Sequence, residues 1–210
     1  MSGRVFILLW SSLWFSCTSH KFSAEKQELN KAETITILFL GNSLTYSNDL
    51  PDLVAKMGSE QKKKIKTLQM AYPNYALEDH WNEGKLQETI TQESIDYLVI
   101  QQGPSSQADG RISLLDYGAR IKTLCDKHQT KLAFFMVWPS IQNWSTFDGV
   151  IKNYDQAAKA NTAIICPVGK EWKMYIESTK DYSYYGPDGF HPSLEGSKFA
   201  ARIIYESLFE

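Results

Sequence analysis

A chain of 210 residues that is 43% apolar and 22% charged has the size and composition of one globular domain, or at most two small ones, which excludes general disorder. A formal net charge of −2 gives no case for nucleic acid or an anionic membrane surface as the partner. The aromatic share of 13%, with Trp 6 and Tyr 11, is enough to fill a core and still line a site.

The N-terminal residues stand apart from the fold. Arg4 precedes the apolar run Val5-Phe6-Ile7-Leu8-Leu9-Trp10, which resumes at Leu13-Trp14-Phe15 and stops at Ser16-Cys17. A basic start, an apolar middle and a small-residue boundary predict an export signal over residues 1–17. The run is too short and too interrupted for a spanning helix. Ser16-Cys17 resembles a bacterial lipoprotein cleavage site, with Trp14 where leucine is usual. That resemblance implies lipidation of Cys17 as the only membrane attachment. The polar residues 18–33 predict a tether, leaving 34–210 as the domain of an exported protein, periplasmic or held at the outer membrane or cell surface.

Residues 35–40 are apolar except for Thr36, the pattern of a central parallel strand covered on both faces. Gly41 predicts a sharp turn, and Asn42 and Ser43 are helix N-cap types. A helix is predicted over 50–61, with Lys62-Lys63-Lys64 its solvated end. A second strand at 65–70 runs into the loop Ala71-Tyr72-Pro73-Asn74-Tyr75. Short helical pieces follow at 77–81 and 86–91, then a third strand at 95–101 and the turn-rich Gln102-Gly103-Pro104-Ser105-Ser106. Ile112, Leu115, Ala119 and Leu124 predict one inward helical face continuing through Cys125. A fourth strand at 132–137 is closed by Trp138-Pro139. A helix at 147–160, a short fifth strand at 163–165 and a helix at 168–177 lead to a loop over 180–192. A final helix from Leu194 turns Phe199, Ala200, Ile203, Ile204 and Leu208 inward. Cys125 and Cys166 are predicted to be buried small apolar residues, and no Cys/His spacing suggests a zinc site.

This alternation predicts a three-layer α/β/α sandwich of flavodoxin-like type around a parallel sheet of about five strands. Right-handed crossovers put every strand's carboxyl end on one edge, where open α/β sheets hold their ligands. Ser43, the Asn74 loop, the 102–106 turn and Trp138 are expected to share that edge.

The late loop Gly186-Pro187-Asp188-Gly189-Phe190-His191-Pro192 supplies a partner for Ser43. An Asp three residues before a His, between Gly and Pro turns, can take the Nδ1 proton and leave Nε2 free to deprotonate a serine. His20 falls in the tether, His128 ends a helix, and His80 points away from its neighbour Asp79. His191 is therefore the candidate base.

Together the two ends resemble the SGNH hydrolase family, the GDSL esterases and lipases. Gly41-Asn42-Ser43-Leu44 stands where that family has Gly-Asp-Ser-Leu, and Asp188-Gly189-Phe190-His191 where it has Asp-x-x-His. The resemblance implies Ser43 as nucleophile, His191 as general base and Asp188 as its orienter, over about residues 34–208. The middle blocks depart from the family pattern. Asn74 stands in for the glycine whose N–H lines the oxyanion hole, and Gln102 or Ser105 for the asparagine donor. Trp138 and Trp144, with Tyr184 and Tyr185, suit either an aromatic rim that stacks on a sugar ring or the packing of long loops. Trp138 and Tyr185 are the substrate-contact candidates. The expectation is a serine ester hydrolase removing a small acyl group, from a small-molecule or carbohydrate ester, with no metal or organic cofactor. A ligand-binding protein on the same scaffold, with little catalysis, is the alternative. A flavodoxin-like nucleotide binder is disfavoured because no glycine-rich phosphate loop follows the first strand.

Overall fold

The computed structural model describes residues 34–210. The export signal, the tether and Cys17 lie outside the described residues. Five strands, β1 (Ile35–Gly41), β2 (Ile65–Ala71), β3 (Tyr97–Ile100), β4 (Lys131–Phe135) and β5 (Ile164–Cys166), form one parallel sheet in the order β2-β1-β3-β4-β5. Leu38 pairs with Leu68 of β2 and with Leu98 of β3, and Leu98 in turn with Leu132 of β4. Of these, β1, β3 and β4 are apolar and central, covered by helices on both faces, whereas β2 is a half-buried edge strand; the layers complete the expected α/β/α sandwich. The chain leaves β1 for β2 on one side and later returns as β3 on the other. The carboxyl ends of β1 and β3 therefore flank a topological switch point, the usual ligand crevice of open α/β sheets.

The helices are α1 (Ser43–Tyr46), α2 (Leu50–Glu60), α3 (Leu77–Glu83), α4 (Lys85–Gln92), α5 (Ala108–Lys127), α6 (Phe147–Ala160), α7 (Val168–Thr179) and α8 (Leu194–Phe209). Helices α2 and α8 pack on one another, and α5 packs against α3 and α6. The one-turn helix α1 and the 3-10 turn Ser47–Asp49 come between β1 and α2. They hold the chain after Ser43 close to the sheet edge.

The inward face of α5 differs from expectation. Leu114, Gly118, Ile121 and Cys125 are buried, whereas Ile112 is 54% exposed. The true stripe runs through a glycine, which an apolar count passes over: a Cβ on Gly118 would press on the Phe134 ring. Helix α8 buries Ala200, Ile203, Ile204 and Leu208 as expected, while Phe199 is half-buried. Cys125 and Cys166 are both free and buried, and desolvation pushes each thiol up to about 12. They are inert packing groups.

Candidate active site

The turn after β1 is built around a glycine that nothing larger can replace. A Cβ on Gly41 would collide with Thr45 Oγ1 and Gln101 Oε1. Asn42 then fixes the turn from three directions. Its Oδ1 accepts the Leu44 N–H at 3.2 Å, its Nδ2 donates to the Tyr75 carbonyl at 3.0 Å, and its own N–H donates to Gln101 Oε1 at 3.0 Å. The same Gln101 oxygen accepts the Thr45 hydroxyl at 2.8 Å. Beneath the turn, His80 Nε2 lies 2.8 Å from the Gly41 carbonyl, which can only accept, so Nε2 carries the proton. Burial lowers the pKa of this ring and favours its neutral form.

The second half comes from the loop before α8. Asp188 Oδ1 accepts the N–H groups of Phe190 at 3.0 Å and His191 at 2.9 Å, and its Oδ2 lies 2.6 Å from His191 Nδ1. Gly189 takes φ 69, a left-handed conformation that lets the loop fold back on the carboxylate. His191 Nε2 then stands 2.8 Å from Ser43 Oγ. The His191 hydrogen bond, followed by the Phe190 N–H, holds the Asp188 carboxyl down at about 2, so it is ionised at neutral pH. The His191 and Asp188 side chains are 41% and 53% exposed, which leaves solvent access to the pair.

A cavity of about 390 Å³ opens beside Ser43, bounded in part by Asn74, Gln102, Ser105 and Phe190. Asn74 has φ 63, the left-handed geometry that asparagine tolerates better than most residues. The N–H groups of Ser43 and Asn74 bond to no other described residue. Asn42 ties these two donors into one unit by bonding across to Tyr75. Gln102 and Ser105 were expected to offer side-chain donors, and here the structure corrects the sequence. Gln102 Nε2 donates to Ser105 Oγ at 2.7 Å and to the Gly110 carbonyl at 3.0 Å. The Ser105 hydroxyl donates to the Gly103 carbonyl at 3.0 Å. All three hydrogens are spent on holding the 102–110 segment, and both side chains are buried.

The aromatic expectation is also corrected. Trp138 is 0% exposed and stacks on Trp172 with ring centroids 3.8 Å apart. Its indole N–H donates to the Phe190 carbonyl at 3.0 Å. Tyr185 is buried against Trp172, and its hydroxyl donates to the Pro139 carbonyl at 2.8 Å. Neither can touch a substrate; both brace the loop that carries His191. Of the other rim aromatics, Trp144 packs edge-on against Phe147 and Tyr184 stacks between Tyr175 and Phe199.

The sequence reading missed Asn42 as a bridge, along with Gln101 and His80. Gln101 left a trace, a polar residue closing an apolar strand at the ligand edge. His80 left none, because its partner is a backbone carbonyl distant in the chain. Among the described residues no group of three or more His, Cys, Asp or Glu could hold a metal ion, and no helix is long and apolar enough to cross a membrane.

No protein-family model matches the sequence, and no curated protein sequence matches it. Solved structures do match. A candidate SGNH hydrolase of Slackia heliotrinireducens aligns with TM-score 0.72 and 22% identity, over 84% of this chain and 100% of its own. The lipase/acylhydrolase of Enterococcus faecalis aligns with TM-score 0.68 and 16% identity, over 83% and 95%. A tryptophan-to-isoleucine mutant of an acetyl-xylooligosaccharide esterase of Geobacillus stearothermophilus aligns with TM-score 0.64 and 14% identity, over 84% and 94%.

Proposed function

From the premise that this chain has the SGNH-hydrolase fold, we propose that it is a serine ester hydrolase that removes a small acyl group through an acyl-enzyme. The observation that carries this reading is the unbroken relay from Ser43 Oγ through His191 to Asp188, at 2.8 and 2.6 Å, at the mouth of a cavity. His191 Nε2 takes the hydroxyl proton as Ser43 Oγ bonds to the ester carbonyl carbon. Asp188 holds Nδ1–H and stabilises the imidazolium that forms. The negative charge on the carbonyl oxygen falls to the free N–H groups of Ser43 and Asn74. The C–O bond to the alcohol breaks, and the alcohol oxygen leaves with the proton from Nε2. Water entering at the exposed face gives a proton to His191 Nε2 as its oxygen bonds to the acyl carbon; the bond from that carbon to Ser43 Oγ then breaks, Oγ takes the proton back from Nε2, and the acid leaves.

Hydrolysis of ethyl acetate and p-nitrophenyl acetate by the protein, beside Ser43→Ala and His191→Ala, tests this. Activity that falls to background in both variants supports it; equal rates in all three proteins sink it.

One observation favours a second reading. With Gln102 and Ser105 turned inward, neither side chain offers the oxyanion a donor, and a missing donor costs about 3 kcal/mol of transition-state stabilisation. A ligand-binding protein with a slow residual esterase would look like this. The rate of labelling by a fluorophosphonate probe separates the two, since the esterase labels rapidly at Ser43 and the binder slowly or not at all.

The apolar leader and Cys17 further support placement outside the cytoplasm as a lipoprotein. Membrane fractionation of the wild type against Cys17→Ser tests that placement: loss of membrane association in the variant supports it.

A further inference from the structure

A second cavity, of about 450 Å³, adjoins the one at Ser43 and shares Pro104, Gln107 and Phe190 with it. We infer that this second cavity is the alcohol subsite of the proposed esterase, and that it takes a neutral polyhydroxy alcohol such as a sugar unit. The inference rests on the catalytic reading above and deepens it.

Direction comes from the proton. When the ester C–O bond breaks, the acyl group stays on Ser43 Oγ and the alcohol oxygen receives the proton from His191 Nε2. The alcohol must therefore leave on the side of the His191 loop. Phe190, the residue before His191, walls the second cavity together with Pro139 and Ser140. Ile141 donates its N–H to the Gly189 carbonyl at 2.9 Å, which fixes the 3-10 turn Ile141–Thr146 against that same loop.

Chemistry comes from the lining. Ser106, Gln107, Ser140, Asn143 and Thr146 bring hydroxyl and amide groups, while Phe190 and the two prolines bring apolar surface. Asn143 Nδ2 donates to Ser140 Oγ at 3.0 Å, and the Thr146 hydroxyl donates to the Asn143 backbone carbonyl at 2.8 Å, which orients the group and leaves the Asn143 side-chain Oδ1 and the Ser140 hydrogen for a ligand. Gln107 opens α5 without capping it through its side chain, so its amide is available. Mixed amide, hydroxyl and apolar groups match the alternating hydroxyls and C–H faces of a sugar ring. Among the described residues no Lys, Arg, Asp or Glu lines either cavity, so a charged alcohol would shed water without gaining a partner. The volume lies within the range of about 300–1,000 Å³ usual for small-molecule sites.

The test uses three acetate esters: ethyl acetate, whose alcohol is too small to reach the cavity; methyl tri-O-acetyl-β-xylopyranoside, which is neutral; and the acetylated methyl glucuronide anion. The xyloside is expected to exceed the glucuronide in kcat/KM by about tenfold or more. Gln107→Leu and Asn143→Leu are each expected to lower the ratio of xyloside to ethyl acetate kcat/KM about tenfold. An unmoved ratio in both variants, or a glucuronide turned over as well as the xyloside, overturns the inference while Ser43-dependent hydrolysis of ethyl acetate stands. Absence of any Ser43-dependent hydrolysis takes down the catalytic reading and this one with it.

Discussion

Asn48 Nδ2 donates to the Pro192 carbonyl at 3.1 Å and to Ser197 Oγ at 2.9 Å, so the turn that follows Ser43 grips the residue next after His191. This contact sets the Ser43 helix against the His191 loop. Asn48 does so from φ 53, a backbone geometry that costs most residues about 1–2 kcal/mol. Asn48→Gly keeps the backbone and loses the bonds, so kcat is expected to fall several-fold with KM little changed. Asn48→Ala adds strain, and its thermal midpoint should lie below that of the glycine variant.

Asn74 offers a sharper separation. Its φ of 63 suits glycine as well as asparagine, and the backbone N–H is the group assigned to the oxyanion in the proposed mechanism. Asn74→Gly should keep kcat/KM near the wild type. Asn74→Pro removes the N–H and forbids that φ, and should cost about 10²–10³-fold in kcat. Steady-state kinetics on one ester decides both.

Asp188 makes stability depend on pH in acid. Its carboxyl sits near 2 in the folded chain against an ordinary 3.8, so between those values the unfolded chain binds the proton and the folded chain does not. The stabilisation is complete above 3.8 and is lost as pH falls through about 2. Solvent screens the half-exposed pair, so the effect is small. Thermal midpoints of wild type and Asp188→Asn, compared across that window, should converge as pH falls.

His80 acts in the same sense at higher pH. The folded ring resists protonation through burial, so the unfolded chain takes up the proton first as pH drops below the ordinary 6.5. The wild type should lose stability below that pH, and His80→Phe, which cannot titrate, should lose less. Denaturant midpoints across the range check it.

Trp138 separates bracing from binding. Full burial on Trp172 predicts that Trp138→Ala costs about 3–5 kcal/mol of stability, visible as a lowered unfolding midpoint. A raised KM at unchanged stability would contradict a bracing role for this ring.

The scaffold was legible because every strand but β2 announces itself by an apolar run ending in a turn, and because Ser43 and His191 follow Gly41 and Gly189, positions where a side chain would clash or be strained. The donors and the rim were less legible. Gln102, Ser105, Trp138 and Tyr185 have the right chemistry at the right edge, but whether a side chain faces a ligand or its own surroundings depends on how the 102–110 loop folds back on itself and on contacts with distant segments, such as Tyr185 with Pro139 and Trp138 with Phe190. The α5 stripe was misread for a related reason: Gly118 is inward through what it lacks.

The two halves of the relay lie 148 residues apart in the chain, and the second arrives just ahead of the last helix. A chain synthesised from its N-terminus therefore builds β1 and exposes Ser43 long before His191, its proposed base, exists. Until α8 docks against α2 and brings the His191 loop with it, the serine hydroxyl is an ordinary alcohol. Under the proposed mechanism a growing or truncated chain would be chemically silent, and reactivity at Ser43 would double as a report that the C-terminal end has folded.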